Sequence, residues 1–372
     1  MGETTPVAHG GDPQDRTGSP RPRCIAVPFS LFPLLKQTIS FTNQIGLLSI
    51  AILMKACVMD KTITYLTTAD LDHTRAIVLA QASGLTYDAF DKQNPAECLE
   101  VSPPDGYDFV DYWTGVDAIF NKYKTVECYG LVFRSQQSPY TYIFAFRGTS
   151  STEDIIDNFG VNHTTFVPYK EDVVVPSELR VESGFYHIYS NSDGNTPSMQ
   201  NQVFALVDQY QASEKPIDTL YITGHSLGAT LSTFFTLDMA LSRPDIKSVS
   251  YNYASPRVGN QAFVEFYQQQ APQQNPETRT IRIQNVYDKV PCVPFKREGY
   301  QHLPYAYLVS FSRDNLMGKF EIIDNHHRKN YKTVLNCALE SESGFCDKTF
   351  DYGQGKTMKS VKPDPSTVCT YW

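Results

Sequence analysis

The sequence of 372 residues lacks the marks of several large classes of protein. It has no long basic run, and 32 lysines and arginines against 40 aspartates and glutamates give a formal charge of −8. The usual electrostatic footprint of nucleic-acid binding is therefore missing, and attraction to anionic membranes is equally unsupported. Its 8 cysteines show neither a CxxC pair nor a zinc-ligand spacing, and we find no internal repeat. With only 21 glycines and 23 prolines, the chain is not collagen-like.

The composition that remains is that of a globular protein. Hydrophobic residues make up 41% and charged residues 19% of the chain, which is enough apolar surface for a substantial core. At roughly 150 residues per domain, the length favours two domains or one large domain with appendages. The cysteine count does not identify a compartment. Cys337 and Cys346 either close one surface loop as a disulfide or stay as two reduced thiols.

The N-terminal part offers little to build a fold from. Residues 1–23 are rich in Gly, Pro and Thr, and we expect them to be disordered. Residues 24–35 and 46–54 are apolar, but each is shorter than the roughly 18 to 20 residues of a membrane-spanning helix. A soluble or peripheral protein is favoured, with secretion or an N-terminal anchor as open alternatives. A further alternative is that translation begins at Met54 or Met59.

Periodic patterns begin near residue 62. Residues 70–87 have apolar residues at helical spacing, with Asp70 as the expected cap. Residues 129–134 and 140–146 are short aromatic and β-branched runs separated by SQQSP, which predicts a β-hairpin. The last stretch, 352–372, is expected to be a loosely ordered tail.

Three further apolar runs determine the predicted fold class. They cover residues 219–223, 248–254 and 280–287, with helical patterns between them. This βαβαβ order predicts an α/β fold in which a mostly parallel central sheet carries helices on both faces. Functional residues are expected at the carboxyl edge of that sheet.

We accordingly expect three regions. They are a poorly ordered or targeting extension (1–61), an α/β domain (62–350) and a C-terminal tail (351–372).

The first chemical signal lies directly after one of these strands. Residues 221–228, YITGHSLG, place a GxSxG pattern between a strand and a helix, which is the context of a nucleophile elbow. Gly224 and Gly228 leave room for the sharp turn, so that Ser226 projects alone. The amides of the helix that begins near Leu227 would face an oxyanion beside Ser226. The pattern predicts a serine nucleophile.

An acid and a base are expected further along the chain. Asp288 follows the strand 280–287, so its carboxylate would lie at the same sheet edge as Ser226. Beyond it the histidines are His302, His326 and His327. His302 precedes a strand-like run and is interpreted as structural. His326 and His327 lie in a predicted late loop and are the two candidates for the base.

A second oxyanion donor must come from a different loop. The strand-like run YIFAF leads into Arg147, Gly148 and Thr149. A small hydroxyl residue after a glycine can present its amide while its side chain steadies the oxyanion. Thr149 is therefore the candidate, and losing one such donor typically costs about 2.7 to 4 kcal/mol.

Taken together, the motifs resemble a known family. They are GHSLG, FAFRGTSSTEDIIDNF (144–159), ESGFYHIY (182–189), YNYASPRVGNQAF (251–263) and NVYDKVPCVPF (285–295). In this order they resemble the class 3 lipases, the fungal-lipase-like α/β hydrolases, over roughly residues 70–335. The resemblance implies an α/β-hydrolase fold. It also implies a catalytic triad of Ser226, Asp288 and His326, with oxyanion-hole amides from Thr149 and Leu227.

The resemblance also separates the two histidines. Relatives often carry a tyrosine five residues after the catalytic histidine, and Tyr331 stands in that relation to His326. His327 remains the alternative base. The resemblance gives Arg257, Gly259 and Asn260 structural roles around the elbow.

Many relatives also carry a mobile lid over the site. Residues 150–160 have a small apolar face opposite acids, so we expect a modest lid that opens at a lipid surface. Ile155 stands where a tryptophan is common, which weakens that expectation.

The expected activity is hydrolysis of acylglycerol esters through an acyl-enzyme, as in a triacylglycerol or monoacylglycerol lipase. The alternatives are a phospholipid or galactolipid acyl hydrolase, a feruloyl-type esterase and a non-catalytic lipase-like scaffold. We expect no metal or organic cofactor. The expected partners are a lipid or ester substrate and, transiently, a lipid interface, with no nucleic acid. The sequence does not indicate an oligomeric state.

Overall fold

A computed structural model describes residues 63–117, 125–149, 162–271, 275–313, 319–351 and 357–369. These residues belong to one compact unit, 60–372. The expectations for residues 1–61 and for a lid at 150–160 fall outside the described residues. Within the described ranges, no helix has the length and apolar content needed to cross a membrane.

The strands, numbered in chain order, form three sheets. They are β1 (Thr64–Leu66), β2 (Tyr107–Asp117), β3 (Thr125–Ser135), β4 (Thr141–Phe146), β5 (His163–Thr164), β6 (Val181–Glu182), β7 (Thr219–His225), β8 (Ser248–Tyr253), β9 (Gly259–Asn260), β10 (Ile281–Asn285), β11 (Tyr300–Gln301), β12 (Tyr305–Val309), β13 (Ser312–Arg313), β14 (Thr349–Asp351) and β15 (Thr357–Lys359). The central sheet has the order β1-β12-β10-β8-β7-β4-β3-β2. The two small sheets have the orders β11-β9-β6-β5 and β13-β15-β14.

The central sheet is parallel over most of its width. Neighbouring strands from β4 to β1 run parallel, whereas β2, β3 and β4 pair antiparallel. The predicted α/β fold class is confirmed, and so is the hairpin formed by β3 and β4. The long strand β2 was not predicted from the sequence.

The helices cover both faces of the sheet. They are α1 (His73–Asp88), α2 (Ser183–Ser190), α3 (Met199–Gln211), α4 (Leu227–Ser242), α5 (Gln261–Gln270), α6 (Lys319–His326) and α7 (Arg328–Leu339). Short 3₁₀ turns lie at Thr68–Asp70, Val290–Cys292, Lys296–Glu298 and Pro365–Thr367.

Strand β4 shows how one strand serves two cores. Ile143 and Phe144 are adjacent and both fully buried. Because successive side chains of a strand point to opposite faces, Phe144 packs in the cluster with Phe235 of α4, and Ile143 packs in the cluster with Leu79 of α1. Burying side chains of this size contributes roughly 1.5 to 3 kcal/mol each. The sheet is thereby fixed between two helical layers.

The start of α1 differs from the sequence prediction. Asp70 is not its cap. Its carboxylate accepts hydrogen bonds from the amide and hydroxyl of Thr67, at 2.9 and 2.7 Å, in the preceding 3₁₀ turn. Asp72 caps α1 and accepts from the Arg75 amide at 2.9 Å. Asp70 and Asp72 lie two residues apart. The 3₁₀ turn before the helix engages Asp70 and so leaves Asp72 as the helix cap.

Three disulfides tie the described chain together. They are Cys98–Cys128, Cys292–Cys369 and Cys337–Cys346. For Cys337 and Cys346 the disulfide alternative therefore holds. Residues 357–369 differ from the loosely ordered tail that we expected, because β15 pairs with β13 and β14 and Cys369 is bonded to Cys292.

Candidate active site

Ser226 occupies the sharp turn between β7 and α4. Strand β7 ends at His225 and helix α4 begins at Leu227. Ser226 has a φ of 62° and a ψ of −127°, a strained conformation for a residue with a side chain, of the kind that costs about 1 to 3 kcal/mol. Its amide donates a 2.9 Å hydrogen bond to the carbonyl of Tyr253 at the end of β8. The predicted strand–turn–helix context of this serine is present.

The two glycines of the motif allow close backbone contacts. A Cβ atom on Gly224 would lie 2.2 Å from the carbonyl oxygen of Gly228. A Cβ atom on Gly228 would lie 2.2 Å from the carbonyl oxygen of Phe146, at the end of β4. Because both obstacles are backbone atoms, larger residues would displace the chain. The second contact also brings the start of α4 against the loop that leads to Thr149.

Asp288 and His326 form a buried pair. His326 Nδ1 lies 2.8 Å from Asp288 Oδ2, and both residues are only 2% exposed. The Tyr331 hydroxyl donates to the same carboxylate oxygen at 2.8 Å, and the Val290 amide donates to the other oxygen at 3.0 Å. Burial and, to a smaller extent, the neighbouring charge of Asp288 raise the pKa of Tyr331 well above its usual value. Tyr331 is therefore a neutral hydrogen-bond donor. Three donors thus hold this carboxylate.

His326 is the last residue of helix α6. The sequence predicts a loop at this position, and that prediction is wrong. Three side chains hold the backbone carbonyls of that last turn. Asn330 Nδ2 donates to the carbonyl of Asp324 at 2.9 Å, and Asn285 Nδ2 donates to that of Asn325 at 2.8 Å. His225 Nε2 lies 2.8 Å from the carbonyl oxygen of His326. Such partners satisfy the carbonyls that a helix leaves free at its end, and they fix the imidazole in place.

His225 connects the nucleophile turn to this helix end. Its ring centroid lies 4.5 Å from that of His326. Its Nδ1 lies 2.9 Å from the hydroxyl of Tyr87, which stands at the end of α1. Burial, and then the neighbouring His326, lower the pKa of His225 well below its usual value. A neutral His225 therefore donates through Nε2 to the carbonyl and accepts through Nδ1 from Tyr87.

The atoms that would exchange a proton are not yet bonded. Ser226 Oγ and His326 Nε2 are both buried, and neither has a hydrogen-bond partner among the described residues. Catalytic hydrogen bonds of this kind are often long in the absence of substrate and tighten when it binds. The arrangement leaves His326 Nε2 unengaged on the side opposite Asp288.

The loop that carries Thr149 is anchored through Arg147. The Arg147 guanidinium donates to the Cys128 carbonyl at 2.6 Å and to the Glu127 carboxylate at 2.5 Å, and it lies over the Phe90 ring at 4.0 Å. Thr149 follows two residues later and lines a cleft of about 310 Å³ together with His326. The structure thus brings the predicted oxyanion residue to the predicted base. Leu227 is buried at the first turn of α4.

The other predicted residues lie around this centre. His327 occupies the N-cap position of α7, where its side chain makes no capping hydrogen bond, and burial lowers its pKa to about 4. His302 Nε2 lies 2.6 Å from the carbonyl of Pro291, in the loop after Asp288. Arg257 donates to the carbonyls of Cys292 and Pro294 in that loop. Arg257 thus supports the loop of the acid, whereas the resemblance had placed it around the elbow.

Sequence reasoning missed Tyr87, His225 and Asn285. His225 was visible inside GHSLG, and Asn285 was visible at the end of a predicted strand. Nothing in the sequence links Tyr87 to them, because their contacts are long-range. In the part of the chain that the structure describes, no three His, Cys, Asp or Glu side chains converge as a metal site would require.

Known proteins resemble this chain over its central part. Residues 143–298 match the family model Lipase (class 3), so the resemblance inferred from the motifs is confirmed there. The secreted mono- and diacylglycerol lipase MDL3 of Malassezia globosa is 29% identical over 177 residues, which are 46% of this chain and 53% of that protein. Phospholipase A1-II 5 of Oryza sativa subsp. indica is 28% identical over 174 residues, 43% of this chain and 36% of that protein. The chain thus spans about half or less of these curated relatives.

Two solved lipase structures also resemble this chain at low sequence identity. Lipase II from Rhizopus niveus has a TM-score of 0.48 and 21% identity, over 66% of this chain and 81% of that one. Lip2 lipase from Yarrowia lipolytica has a TM-score of 0.49 and 19% identity, over 64% and 78%.

Proposed function

We propose that this protein, in which residues 143–298 match the class 3 lipases, is a serine hydrolase that cleaves carboxylic esters of acylglycerols. The observation that carries the proposal is the buried pair of Asp288 and His326 at 2.8 Å, set at the same sheet edge as the strained Ser226. The name of the Malassezia relative, a mono- and diacylglycerol lipase, supports acylglycerols as the substrate class.

In the proposed mechanism, His326 acts as the base. Its Nδ1–H is engaged by Asp288, so the neutral ring presents Nε2 to the Ser226 hydroxyl. Ser226 Oγ attacks the ester carbonyl while its proton passes to Nε2. Asp288 stabilises the imidazolium that forms. Because His225 is kept neutral by burial, the imidazolium does not face a second cation 4.5 Å away.

The tetrahedral intermediate carries a negative charge that needs fixed donors. We assign these to the amides of Thr149 and Leu227. The close approach of Gly228 to Phe146 supports this assignment, because it brings the two backbone segments together. The intermediate collapses to an acyl-enzyme when His326 returns its proton to the leaving alcohol, and water then repeats the same steps.

A second candidate is hydrolysis of an acyl ester in a phospholipid. The Oryza relative is named a phospholipase A1, and it matches over nearly as much of this chain as the Malassezia lipase does. Both candidates use the same triad and differ only in what surrounds the ester. Expected contact with a lipid interface, through a lid at 150–160, remains a prediction.

The test compares the wild type with Ser226→Ala. We expect hydrolysis of p-nitrophenyl butyrate and of dioleoylglycerol by the wild type, and a loss of about 10⁴-fold or more in kcat for Ser226→Ala. Unchanged unfolding temperatures would show that both proteins are folded. Residual activity in Ser226→Ala close to that of the wild type, or none in the wild type on any ester, would refute the proposal.

The two neighbouring histidines provide a matched comparison. His326→Ala should lose activity about as severely as Ser226→Ala, because both act in one unit. His327→Ala should retain most of its activity, because the proposed base that meets the Asp288 carboxylate is His326. The reverse pattern would assign the base to His327.

A further inference from the structure

The cleft beside the candidate active site carries positive charge. Its lining includes Thr149 and His326, which the mechanism uses, and also Lys92 and Arg328, which it does not. The chain as a whole has a formal charge of −8. Two cations in the cleft that holds Thr149 and His326 are therefore a local feature and do not follow from the overall composition. No carboxylate side chain is among the described residues that line this cleft.

Arg328 is held in a defined orientation. One terminal guanidinium nitrogen bonds the Asp88 carboxylate at 2.9 Å, and the guanidinium lies over the ring of Tyr87 at 4.6 Å. Its Nε is buried and has no hydrogen-bond partner among the described residues. The ion pair with Asp88 is partly exposed and worth little by itself. A planar guanidinium with spare donors is suited to phosphate oxygens, which it can bind with two parallel hydrogen bonds.

Lys92 supplies a second charge from a different loop. It is exposed on the rim of the cleft and forms no ion pair with any described residue. The neighbouring carboxylate of Asp91 is engaged locally, accepting from the Gln93 amide at 2.8 Å. A flexible ammonium of this kind acts as a point charge that can follow an anion.

The nearby helix end adds to the same field. Helix α7 begins at Arg328, its cap His327 makes no side-chain capping bond, and its first turn holds no acidic residue. The positive end of the helix dipole is therefore not neutralised by its own first turn. His327 itself adds no charge at neutral pH, because burial lowers its pKa to about 4. The cationic character of this end of the cleft comes from Lys92 and Arg328.

We infer that Lys92 and Arg328 form a subsite for the phosphate of a glycerophospholipid whose acyl ester lies between Ser226 and Thr149. This inference rests on the proposed function, which it deepens by naming a substrate class. The phosphodiester of such a lipid carries one negative charge and is joined to the same glycerol unit as the ester. A cleft of about 310 Å³ that is lined by the two cations together with Thr149 and His326 suits that connectivity. A neutral acylglycerol would offer neither Lys92 nor Arg328 an anion to bind.

The test is the ratio of two activities in one assay. Phosphatidylglycerol and diacylglycerol with identical acyl chains are presented in the same detergent micelles, and kcat/KM is measured for each. The wild type should cleave both. In Lys92→Gln and Arg328→Gln, the ratio of phospholipid to diacylglycerol hydrolysis should fall by about tenfold, the effect expected for one charge-assisted hydrogen bond. The double variant should fall further, and Arg328→Lys should retain part of the ratio.

The matched control is Lys329→Gln. It removes the same charge one residue away, but Lys329 is exposed and does not line this cleft, so the ratio should stay at the wild-type value. Added glycerol 3-phosphate should inhibit diacylglycerol hydrolysis in the wild type more than inorganic phosphate does, which separates a lipid headgroup from a free anion.

Different results would reject different claims. Cleavage of diacylglycerol but not phospholipid by the wild type would overturn the subsite and leave the proposed function standing. So would an unchanged ratio in the double variant, or an equal fall in Lys329→Gln. Absence of any ester hydrolysis by the wild type would instead refute the proposed function. If Arg328→Gln fails to fold, Lys92→Gln and Arg328→Lys still decide the question.

Discussion

The Nε2 atom of His225 lies 2.8 Å from the backbone carbonyl oxygen of His326. The residue before the candidate nucleophile therefore holds the residue that would activate it. A carbonyl only accepts, so Nε2 carries the proton, and burial keeps the ring neutral. The Tyr87 hydroxyl, 2.9 Å from Nδ1, selects this tautomer. We therefore regard His225 as a positioning residue, which acts through His326.

We predict that His225→Ala lowers kcat by about tenfold to a hundredfold, because small misplacements of a catalytic group have effects of this size. His225→Gln should recover part of the loss, since its amide nitrogen can donate to the same carbonyl. KM for p-nitrophenyl butyrate should change much less than kcat. Steady-state kinetics on the three proteins provide the measurement.

Unfolding in urea serves as the control for this series. If Ala and Gln variants were equally impaired, or if activity fell only as far as the folded fraction does, the positioning role would be wrong. Tyr87→Phe removes the hydroxyl that fixes the tautomer and should show a smaller loss of the same kind.

Tyr331→Phe should weaken the hydrogen bonding that holds the Asp288 carboxylate and leave the carboxylate itself in place. The variant deletes one of the three donors to the Asp288 carboxylate, and hydrogen bonds to charged groups contribute about 1.5 to 3 kcal/mol. We expect kcat/KM to fall by about tenfold. Less of the carboxylate charge would then be offset by neutral donors, which favours the imidazolium form. The acidic limb of the pH–rate profile should therefore move to higher pH.

Tyr253→Phe is the matched control, because Tyr253 is an equally buried tyrosine whose ring centroid lies 6.0 Å from that of Tyr331. Its hydroxyl donates to the carbonyl of Ala76 and not to Asp288. An acidic limb that shifts equally in both variants would show a general packing effect, and no shift in Tyr331→Phe would contradict the prediction.

Glu182 should make stability depend on pH. It is 2% exposed and caps α2 by accepting from the Phe185 amide at 2.7 Å. Burial raises its pKa from 4.5 to about 7. Between these values the folded state holds a proton that the unfolded state has lost, so stability falls as pH rises from about 4.5 to 7. Glu182→Gln keeps an acceptor for Phe185 and should stabilise the protein at pH 8, by at most about 3 kcal/mol.

Thermal unfolding from pH 5 to pH 8 measures this effect. The advantage of Glu182→Gln should shrink toward pH 5, where the wild-type carboxyl is protonated. Glu178→Gln changes an exposed carboxylate nearby in the chain and should show no such trend. A constant difference across the pH range would contradict the linkage.

Two of the disulfides should contribute different amounts to the free energy of unfolding. Cys292–Cys369 spans 77 residues, whereas Cys337–Cys346 spans 9. If a disulfide acts mainly by restricting the unfolded chain, the longer loop contributes about 2 kcal/mol more. Replacing both cysteines of the long loop by alanine should therefore cost more than replacing both of the short loop. Urea unfolding of the two double variants measures the difference, and equal costs would count against the loop-entropy explanation.

Much of the candidate site was predictable because it is local. Gly224, Ser226 and Gly228 lie within five residues, and the strand before and the helix after them are readable from periodicity. Asp288 could be placed because parallel strands end at a common edge. The cap of α1 could not be placed, since Asp70 and Asp72 are locally equivalent. His326 was assigned to a loop because the short helix α6 has only two turns of weak pattern.

The sequence by itself determined the fold class, the strand–turn–helix around Ser226, and the chain order of the candidate nucleophile, acid and base, because these depend on backbone geometry and on neighbours in the chain. Only the tertiary structure decided which atoms meet. It placed Tyr331 on Asp288, His225 on the carbonyl of His326, and Tyr87 on His225, across separations of 43, 101 and 138 residues. These contacts depend on how the central sheet packs against the helices on its two faces. The residue pattern within one segment does not show which side chains of a distant segment it will contact.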